Sequence, residues 1–248
     1  MLTIKNHIKI DVRGIEKSFT LHNRGGAYVC GFSGVSFSVK RGELLALTGP
    51  SGAGKSSVLK AIYRTYPLNS GQILFHRRDN VTVNLAKCSE SEVLRLRKRE
   101  ISFVTQFLKI LPRITALQAV ALPLIESGVD ELQALDRAAE LLDFLGIREE
   151  LFHISPLTFS GGEQQRVNIA RGVIAPKSLI LLDEPTASLD GESAEKILTL
   201  LTDLKEKGIA MVAIFHDKKK IKSVADKTYE IMRKESMLLS PVMGEVGR

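Results

Sequence analysis

The chain has 248 residues, which is enough for one large α/β domain with a well-buried core. Its 44% hydrophobic and 25% charged residues are typical of a globular protein. The sequence contains no run of about 18 apolar residues, so no membrane-spanning helix is predicted. The polar segment from Met1 to Ile10 does not match a signal peptide. We therefore expect a cytoplasmic protein that reaches a membrane only through a partner.

The formal net charge is +7, and a basic balance can indicate binding to nucleic acid or acidic lipid. We interpret it as a solvated surface around a nucleotide site, because the densest lysine run, residues 218–222, contains no interleaved aromatic residues. No nucleic acid is therefore expected among the partners. Cys30 and Cys88 lie far apart and outside any CxxC motif, so they indicate neither a disulfide framework nor a zinc site.

The first third of the chain is predicted to be mostly strand. Apolar and polar residues alternate from Ile8 to Arg13, which predicts a half-buried strand with Lys9 on its polar face. The continuous apolar run 44–47 predicts a strand buried on both faces, as in a parallel sheet. Helical spacing over 56–66 and a strand-like segment over 71–85 follow.

The middle of the chain, residues 107–156, has a helical pattern that differs from its flanks and predicts a helical insertion. Before it, Ser91 is expected to cap a short helix that begins near Glu92. Asp130 is expected to cap a longer helix, and Gly146 lies where a glycine stop belongs. The apolar stripe expected on that helix consists of Leu132, Leu135, Ala139, Leu142 and Leu145.

The α/β pattern resumes after residue 156. Buried strands are predicted at 179–182 and 209–215, with a helix at 192–207 between them. Strands that alternate with helices predict a mainly parallel sheet.

A glycine-rich loop lies between the predicted strand at 44–47 and the following helix. It matches the phosphate-binding pattern G-x-x-x-x-G-K-[ST], whose backbone N–H groups and helix N-terminus face phosphates. Lys55 would reach the β- and γ-phosphates of ATP, and the Ser56 hydroxyl would bind Mg²⁺. The predicted cofactor-binding residues here are Gly49, Pro50, Ser51, Gly52, Ala53, Gly54, Lys55, Ser56 and Ser57.

Two carboxylates follow the predicted strand at 179–182. Open α/β sheets bind ligands at the carboxyl ends of their strands. Asp183 would hold Mg²⁺, and Glu184 would accept a proton from the attacking water. The predicted reaction is phosphoryl transfer to water without a covalent intermediate.

A third motif, Ser160-Gly161-Gly162-Glu163-Gln164, lies between the other two at the start of a predicted helix. It resembles the signature of ATP-binding-cassette (ABC) ATPases, and a serine with two glycines at a helix N-terminus suits an anion. The resemblance implies that these five residues cover the γ-phosphate bound by the loop of another subunit. The partner would be a second copy or a second cassette ATPase.

The resemblance also implies a fold. We expect an α/β, P-loop NTPase domain over 1–248, with a mainly parallel core sheet, an antiparallel β subdomain and an inserted α-helical subdomain. Residues 1–106 and 157–235 would form the α/β core with the β subdomain, 107–156 the helical subdomain and 236–248 a tail.

Four further positions resemble functional residues of this family. Gln106 matches the glutamine that senses the metal and the water, and Asp190 belongs to the loop that communicates across the dimer. His216 matches the switch histidine at the γ-phosphate. Phe19 occupies the place of the aromatic residue that stacks on adenine, although a plain core role competes. Gln106 and His216 join Lys55 and Glu184 as predicted catalytic residues.

Two branches of the family compete. The stretches 104–114, 158–172 and 214–217 resemble an ATPase of the bacterial carbon–phosphorus lyase system for phosphonate use. That resemblance implies the soluble lyase core complex as partner, with ATP turnover driving its assembly or rearrangement. The alternative is the ATPase of a lipoprotein-release or macrolide-export transporter, whose Leu-Pro…Pro-Leu pattern recurs at 111–124. There, the groove around Gln106 would receive a short helix of a membrane permease.

Overall fold

We describe a computed structural model of the protein, which gives the structure of residues 8–21, 27–110 and 113–232. The tail at 236–248, treated above as a separate segment, lies outside the described residues. None of the helices in these ranges combines the length and the apolar composition of a membrane-spanning segment.

The core is a parallel sheet in the order β6-β7-β8-β3-β9, and every neighbouring pair in it is parallel. This confirms the parallel sheet that the alternating pattern predicted. The continuous apolar runs are buried because both faces of the sheet are covered. The strands are β3 (Leu44–Thr48), β6 (Ile101–Val104), β7 (Leu179–Asp183), β8 (Ala210–Ile214) and β9 (Lys227–Glu230).

A second sheet is antiparallel in the order β2-β1-β4-β5, which confirms the antiparallel element of the expected fold. It packs with one face of the parallel sheet in a shared apolar core. The strand-like segment at 71–85 contains two strands. The strands of this sheet are β1 (Ile8–Leu21), β2 (Ala27–Lys40), β4 (Ser70–His76) and β5 (Thr82–Asn84).

The placement of Lys9 on a solvated face is wrong. Lys9 is only 3% exposed, and its ammonium group pairs with Glu100 at 3.2 Å and donates to the carbonyl oxygen of His76. Burial lowers the pKa of Lys9, although Glu100 opposes the shift. The alternating pattern therefore marks a strand buried on both faces at this point.

Seven α-helices lie within the described residues, and six of them begin at a side-chain cap. Asp130 caps α4 as predicted. The prediction for α2 is wrong by two residues: Ser89, not Ser91, accepts from the N–H of Glu92. The helices are α1 (Lys55–Ile62), α2 (Glu90–Arg99), α3 (Ala116–Glu126), α4 (Glu131–Phe144), α5 (Gly161–Val173), α6 (Gly191–Glu206) and α7 (Lys218–Val224).

Most of the apolar stripe predicted for α4 faces the core. Leu142 and Leu145 are fully buried, and Leu135 and Ala139 are partly buried and pack against the core. Leu132 is 73% exposed, and the buried face also includes Ala134 and Ala138. α4 packs mainly against α3, and small side chains on the contact face let two helices approach closely. The prediction was therefore wrong at Leu132 and missed Ala134 and Ala138, because these alanines lie beside the leucines on the helix surface.

The topology places several predicted site residues at one edge of the parallel sheet. The loop after β3 leads into α1, and Gln106 follows β6 by two residues. Asp183 and Glu184 lie at the end of β7, and His216 follows β8 by two residues. Because β3, β6, β7 and β8 are parallel, all these residues lie at the carboxyl edge of one sheet.

Candidate functional site

The loop between β3 and α1 leaves the first N–H groups of α1 without a side-chain cap. The N-cap is Gly54 in a left-handed conformation, with φ of 93°. A Cβ atom at Gly54 would overlap the carbonyl oxygen of Gly31, and one at Gly49 would overlap that of Ile231. The narrow path of the loop therefore requires glycine at both positions, and the N-terminus of α1 is open to an anion.

Lys55 is the first residue of α1, and its side chain folds back against this loop. Its ammonium group donates to the carbonyl oxygens of Gly49 at 2.8 Å and Pro50 at 2.9 Å. The side chain is buried, so its positive charge is fixed against the loop. The other predicted loop residues, Ser51, Gly52, Ala53 and Ser57, complete the turn and the start of α1.

Ser56 and Asp183 are brought together from α1 and β7. The Ser56 hydroxyl donates to Asp183 Oδ1 at 2.9 Å. Burial raises the pKa of Asp183; the hydrogen bond from Ser56 opposes this shift, and the charge of Glu184 adds to it. A nearby cation would favour the ionised carboxylate. A hydroxyl and a carboxylate are oxygen ligands of the kind that Mg²⁺ prefers, so this pair fits the predicted metal.

Glu184 is held between the two other predicted catalytic side chains. Its Oε1 lies 2.7 Å from His216 Nε2, and its Oε2 accepts from Gln106 Nε2 at 3.4 Å. Its backbone has a positive φ of 55°, which strains a residue with a side chain. In this strained conformation, the Glu184 carboxylate contacts both His216 and Gln106.

Gln165 supports this conformation, and the sequence reasoning missed it. Its side chain is buried, and its Nε2 donates to the carbonyl oxygens of Glu184 at 3.3 Å and Pro185 at 3.4 Å. Asn168, one turn further along α5, donates to the carbonyl oxygen of Thr105 at 2.6 Å, next to Gln106. No local pattern marks these two residues, because a polar residue on a helix ordinarily faces solvent.

The predicted signature forms a capping box at the start of α5. The Ser160 hydroxyl accepts from the N–H of Glu163, and the Glu163 carboxylate accepts from the N–H and the hydroxyl of Ser160 at 2.9 and 2.6 Å. These hydrogen bonds lower the pKa of Glu163. The helix N-terminus thus already holds an anion from its own chain.

The rest of the signature lies beside other loops of the site. A Cβ atom at Gly162 would lie 3.2 Å from the Ser188 carbonyl oxygen, and Gly161 and Gln164 line a small cavity with Gln106. Within the described ranges, no hydrogen bond joins Ser160 to the loop after β3. The structure therefore does not bring Ser160 onto the phosphate loop of its own chain.

Asp190 caps α6. Its carboxylate accepts from the backbone N–H of Ser193 at 2.8 Å and from the Ser193 hydroxyl at 3.0 Å. Both bonds lower the pKa of Asp190. Arg166 on α5 also donates to the Ser193 hydroxyl, at 2.8 Å, so the start of α6 is tied to the signature helix. This cap fixes the direction of the loop that contains Ser188, whose φ is 61°.

Phe19 belongs to an aromatic pair beside the phosphate loop. Its ring meets Tyr66 edge to face, with 5.1 Å between the ring centroids, and a Cβ atom at Gly31 would overlap it. The Tyr66 hydroxyl donates to the Ser57 carbonyl oxygen at 2.6 Å. Phe19 is half-buried, so the structure is compatible with a stacking surface as well as a packing role.

Comparison with known proteins identifies a family match. The family model described as ABC transporter matches residues 32–187. The lipoprotein-releasing system ATP-binding protein LolD of Bacteroides fragilis is 36% identical over 225 residues, which are 90% of this chain and 97% of that protein.

Other relatives agree with this match. The macrolide export ATP-binding/permease protein MacB of Bdellovibrio bacteriovorus is 36% identical over 208 residues, or 84% of this chain. The chain spans only 30% of the length of that relative. A solved ATP-binding cassette, MJ0796, in a dimeric post-hydrolysis state bound to ADP and Pi superimposes with a TM-score of 0.81 and 28% identity. The superposition covers 93% of this chain and 99% of the solved one.

Proposed function

The chain belongs to the ABC transporter family of ATP hydrolases, and we propose that it hydrolyses Mg·ATP at two composite sites in a head-to-tail homodimer. The observation that carries this proposal is the placement of the Glu184 carboxylate. It contacts both His216 and Gln106 beside the Ser56–Asp183 pair. A carboxylate held there can accept a proton from water as the water attacks a phosphate.

Each side chain of the site has one task in this proposal. Lys55 and the N-terminus of α1 neutralise phosphate charge, and Ser56 with Asp183 would hold Mg²⁺, which supplies further charge neutralisation when bound. Glu184 takes the proton, while His216 orients its carboxylate. Gln106 links this carboxylate to the loop after β6, so that a movement of that loop changes the geometry of the base.

The need for a second subunit is supported by the position of Ser160. It lies at the start of α5, and the hydrogen bonds of its N–H and hydroxyl within the described residues go to Glu163 rather than to the phosphate loop of its own chain. An anion of a facing subunit would replace the Glu163 carboxylate on the Ser160 N–H and hydroxyl. Each chain would then contribute a phosphate loop to one site and a signature to the other.

Two inactive variants test this arrangement. Lys55→Ala breaks the phosphate loop, and Ser160→Arg breaks the signature, so each variant alone should lose nearly all turnover. In a dimer that contains one subunit of each variant, one site has both substitutions. The other site combines the intact loop of the Ser160→Arg subunit with the intact signature of the Lys55→Ala subunit. ATP hydrolysis should therefore reappear on mixing, and Ser91→Arg on the exposed surface of α2 serves as a control that stays active. A mixture as inactive as its components would contradict the composite site.

Glu184→Gln tests the assignment of the base. The amide keeps the size of the side chain but cannot accept the proton, so the variant should bind Mg·ATP, stop hydrolysis and accumulate as an ATP-bound dimer. Size-exclusion chromatography with and without Mg·ATP measures the dimer. Near-normal turnover in this variant would show that another group is the base.

We further propose that the chain is the ATPase subunit of a membrane transporter. The names of LolD and MacB support this branch over the lyase-associated one that the sequence analysis placed first. A groove of about 280 Å³ is lined by four apolar residues and two cations, which suits a short amphipathic helix of a permease. It is lined by Lys109, Ile110, Ile114, Ala119, Leu122 and Arg171.

A pull-down separates the two branches. Tagged Glu184→Gln protein with Mg·ATP is recovered from its native host after growth on a phosphonate, once without detergent and once with it. We expect a multi-spanning membrane protein in the detergent sample, and Leu122→Glu in the groove should abolish its recovery. Soluble carbon–phosphorus lyase subunits in the detergent-free sample would instead establish the lyase core complex as the partner.

A further inference from the structure

A second cavity lies at the edge of the parallel sheet opposite the proposed nucleotide site. It has a volume of about 820 Å³ and includes Ser178 and Ile209, the residues that precede β7 and β8. The predicted catalytic residues follow the other ends of these strands. Because a five-residue strand is roughly 16 Å long, the cavity and the nucleotide site are separate.

The lining of this cavity is strongly basic. Among its described residues are seven lysines and arginines and a single carboxylate, Asp11. Three of the seven are neutralised by ion pairs: Arg13 with Asp11, Lys9 with Glu100, and Arg77 with a group of carboxylates that includes Glu100. The local carboxylates are therefore already engaged by these three cations.

The other four cations of the cavity form no side-chain ion pair within the described part of the chain. No carboxylate oxygen lies within 4.0 Å of the charged nitrogens of Arg41, Arg78, Lys177 or Lys207 there, and the Glu100 carboxylate meets Arg78 only at its backbone N–H, at 3.2 Å. Like charges gathered in one cavity repel each other, and water alone screens them only partly. A bound anion would relieve this repulsion.

Two of the four cations are fixed in place by backbone carbonyl groups. Arg78 donates to the carbonyl oxygen of Pro176 at 2.6 Å. Lys177 donates to the carbonyl oxygens of Arg97 and Lys98 at the end of α2. These contacts hold the side chains but do not neutralise them. A ligand would therefore meet cations that are already ordered, which reduces the entropy lost on binding.

The remaining two, Arg41 and Lys207, are exposed, as is Arg78, and we refer to Arg41 and Lys207 as the rim cations. Guanidinium groups match the planar spacing of phosphate oxygens, and ammonium groups add point charges. The volume of the cavity is within the range of small-ligand sites. A ligand with a single carboxylate would neutralise only a fraction of the positive charge of the lining residues.

We propose that this basic cavity binds a small ligand that carries two or more phosphate groups. The rim cations Arg41 and Lys207 attract it, and Arg78 and Lys177, which backbone carbonyl groups hold in place, bind its phosphates. This site does not depend on the proposed nucleotide chemistry, because it uses other residues at the opposite edge of the sheet.

Calorimetric titration with inorganic tripolyphosphate tests the proposal. The full chain is used with Lys55→Ala, which suppresses binding to the phosphate loop. Arg41→Ser with Lys207→Ser should weaken binding about tenfold or more, because a hydrogen bond to a charged group contributes on that order. The matched control, Arg137→Ser with Lys222→Ser, removes an exposed arginine and lysine elsewhere and should change affinity by less than about twofold.

Phosphatidylcholine vesicles containing phosphatidylinositol 4,5-bisphosphate, whose headgroup carries several phosphates, provide the second arm, read by sedimentation. Binding of tripolyphosphate that depends on the rim cations identifies a free phosphorylated metabolite as the ligand. Binding of the vesicles alone, with the same dependence, identifies a phosphate-bearing lipid headgroup. Saturable binding of neither probe, or equal weakening by the rim pair and the control pair, would overturn the proposal.

Discussion

Replacing Gln165 by methionine should slow ATP turnover without weakening ATP binding. Gln165 is 5% exposed, and its hydrogen bonds to the carbonyl oxygens of Glu184 and Pro185 are 3.3 and 3.4 Å long. Methionine has a similar length and volume and packs adaptably, so the substitution removes the two hydrogen bonds and preserves the packing.

The expected magnitude follows from two opposing free energies. The left-handed backbone of Glu184 costs about 1–3 kcal/mol, and two long neutral hydrogen bonds contribute about 1–2 kcal/mol together. Once these bonds are lost, the strain is largely unopposed, and the Glu184 peptide relaxes in most molecules. Since about 1.4 kcal/mol corresponds to a factor of ten in rate, kcat should fall about 10- to 30-fold.

Steady-state phosphate release at saturating Mg·ATP measures kcat, and titration with a fluorescent nucleotide measures the Kd. The Kd should stay within about twofold, because Gln165 does not contact the phosphate loop. Gln118→Met is the control: it also removes one amide hydrogen bond, from the N–H of Thr115 in the cap of α3. Equal kcat values for the two variants would refute a positioning role for Gln165.

Three further results are expected. Gly54→Ala should abolish nucleotide binding, because the added Cβ atom would overlap the backbone of Gly31. Gly52→Ala should weaken binding only about tenfold, because Gly52 also has a positive φ but has open space around it. Equal titration curves for the two variants would refute the steric argument. Glu163→Gln should strengthen ATP-dependent dimerisation about fivefold in low salt, since like charges 4 Å apart in water repel by about 1 kcal/mol; ultracentrifugation showing weaker dimers would contradict this. The folded-state pKa of Lys9 is below the ordinary value of 10.5, so the unfolded chain binds more protons between the two values and the free energy of unfolding should rise with pH there. Lys9→Met should remove that rise in urea titrations, and an identical rise in the variant would contradict the reasoning.

The predicted site residues could be placed at one edge of the sheet from the sequence, because each segment that contains them has a local sequence pattern. The loop that ends in Lys55 has a fixed spacing, and Asp183 directly follows an apolar run. Parallel strands then place these separate segments side by side without any further information. The same rule places Gln106 and His216, each two residues beyond a strand.

Errors arose where two equally regular patterns competed. Ser89 and Ser91 both precede the same helix, and the spacing of Ser89 from Glu92 is that of a capping box, which would have selected the correct serine. On α4, leucines and alanines lie side by side, and packing buries Ala134 and Ala138 together with Leu142 but leaves Leu132 exposed. The first error could have been avoided from the sequence, whereas the second depends on the partner helix.

Features built from distant residues have no local signal at all. The net charge of +7 was interpreted as a solvated surface around a nucleotide site, but a net charge is a sum and does not report position. The cations of the basic cavity come from five segments, near residues 9–13, 41, 77–78, 177 and 207. Only the packing of both sheets and the end of α6 brings them together. Gln165 presents the same difficulty at smaller scale, because its function depends on two carbonyl groups about twenty residues further along the chain.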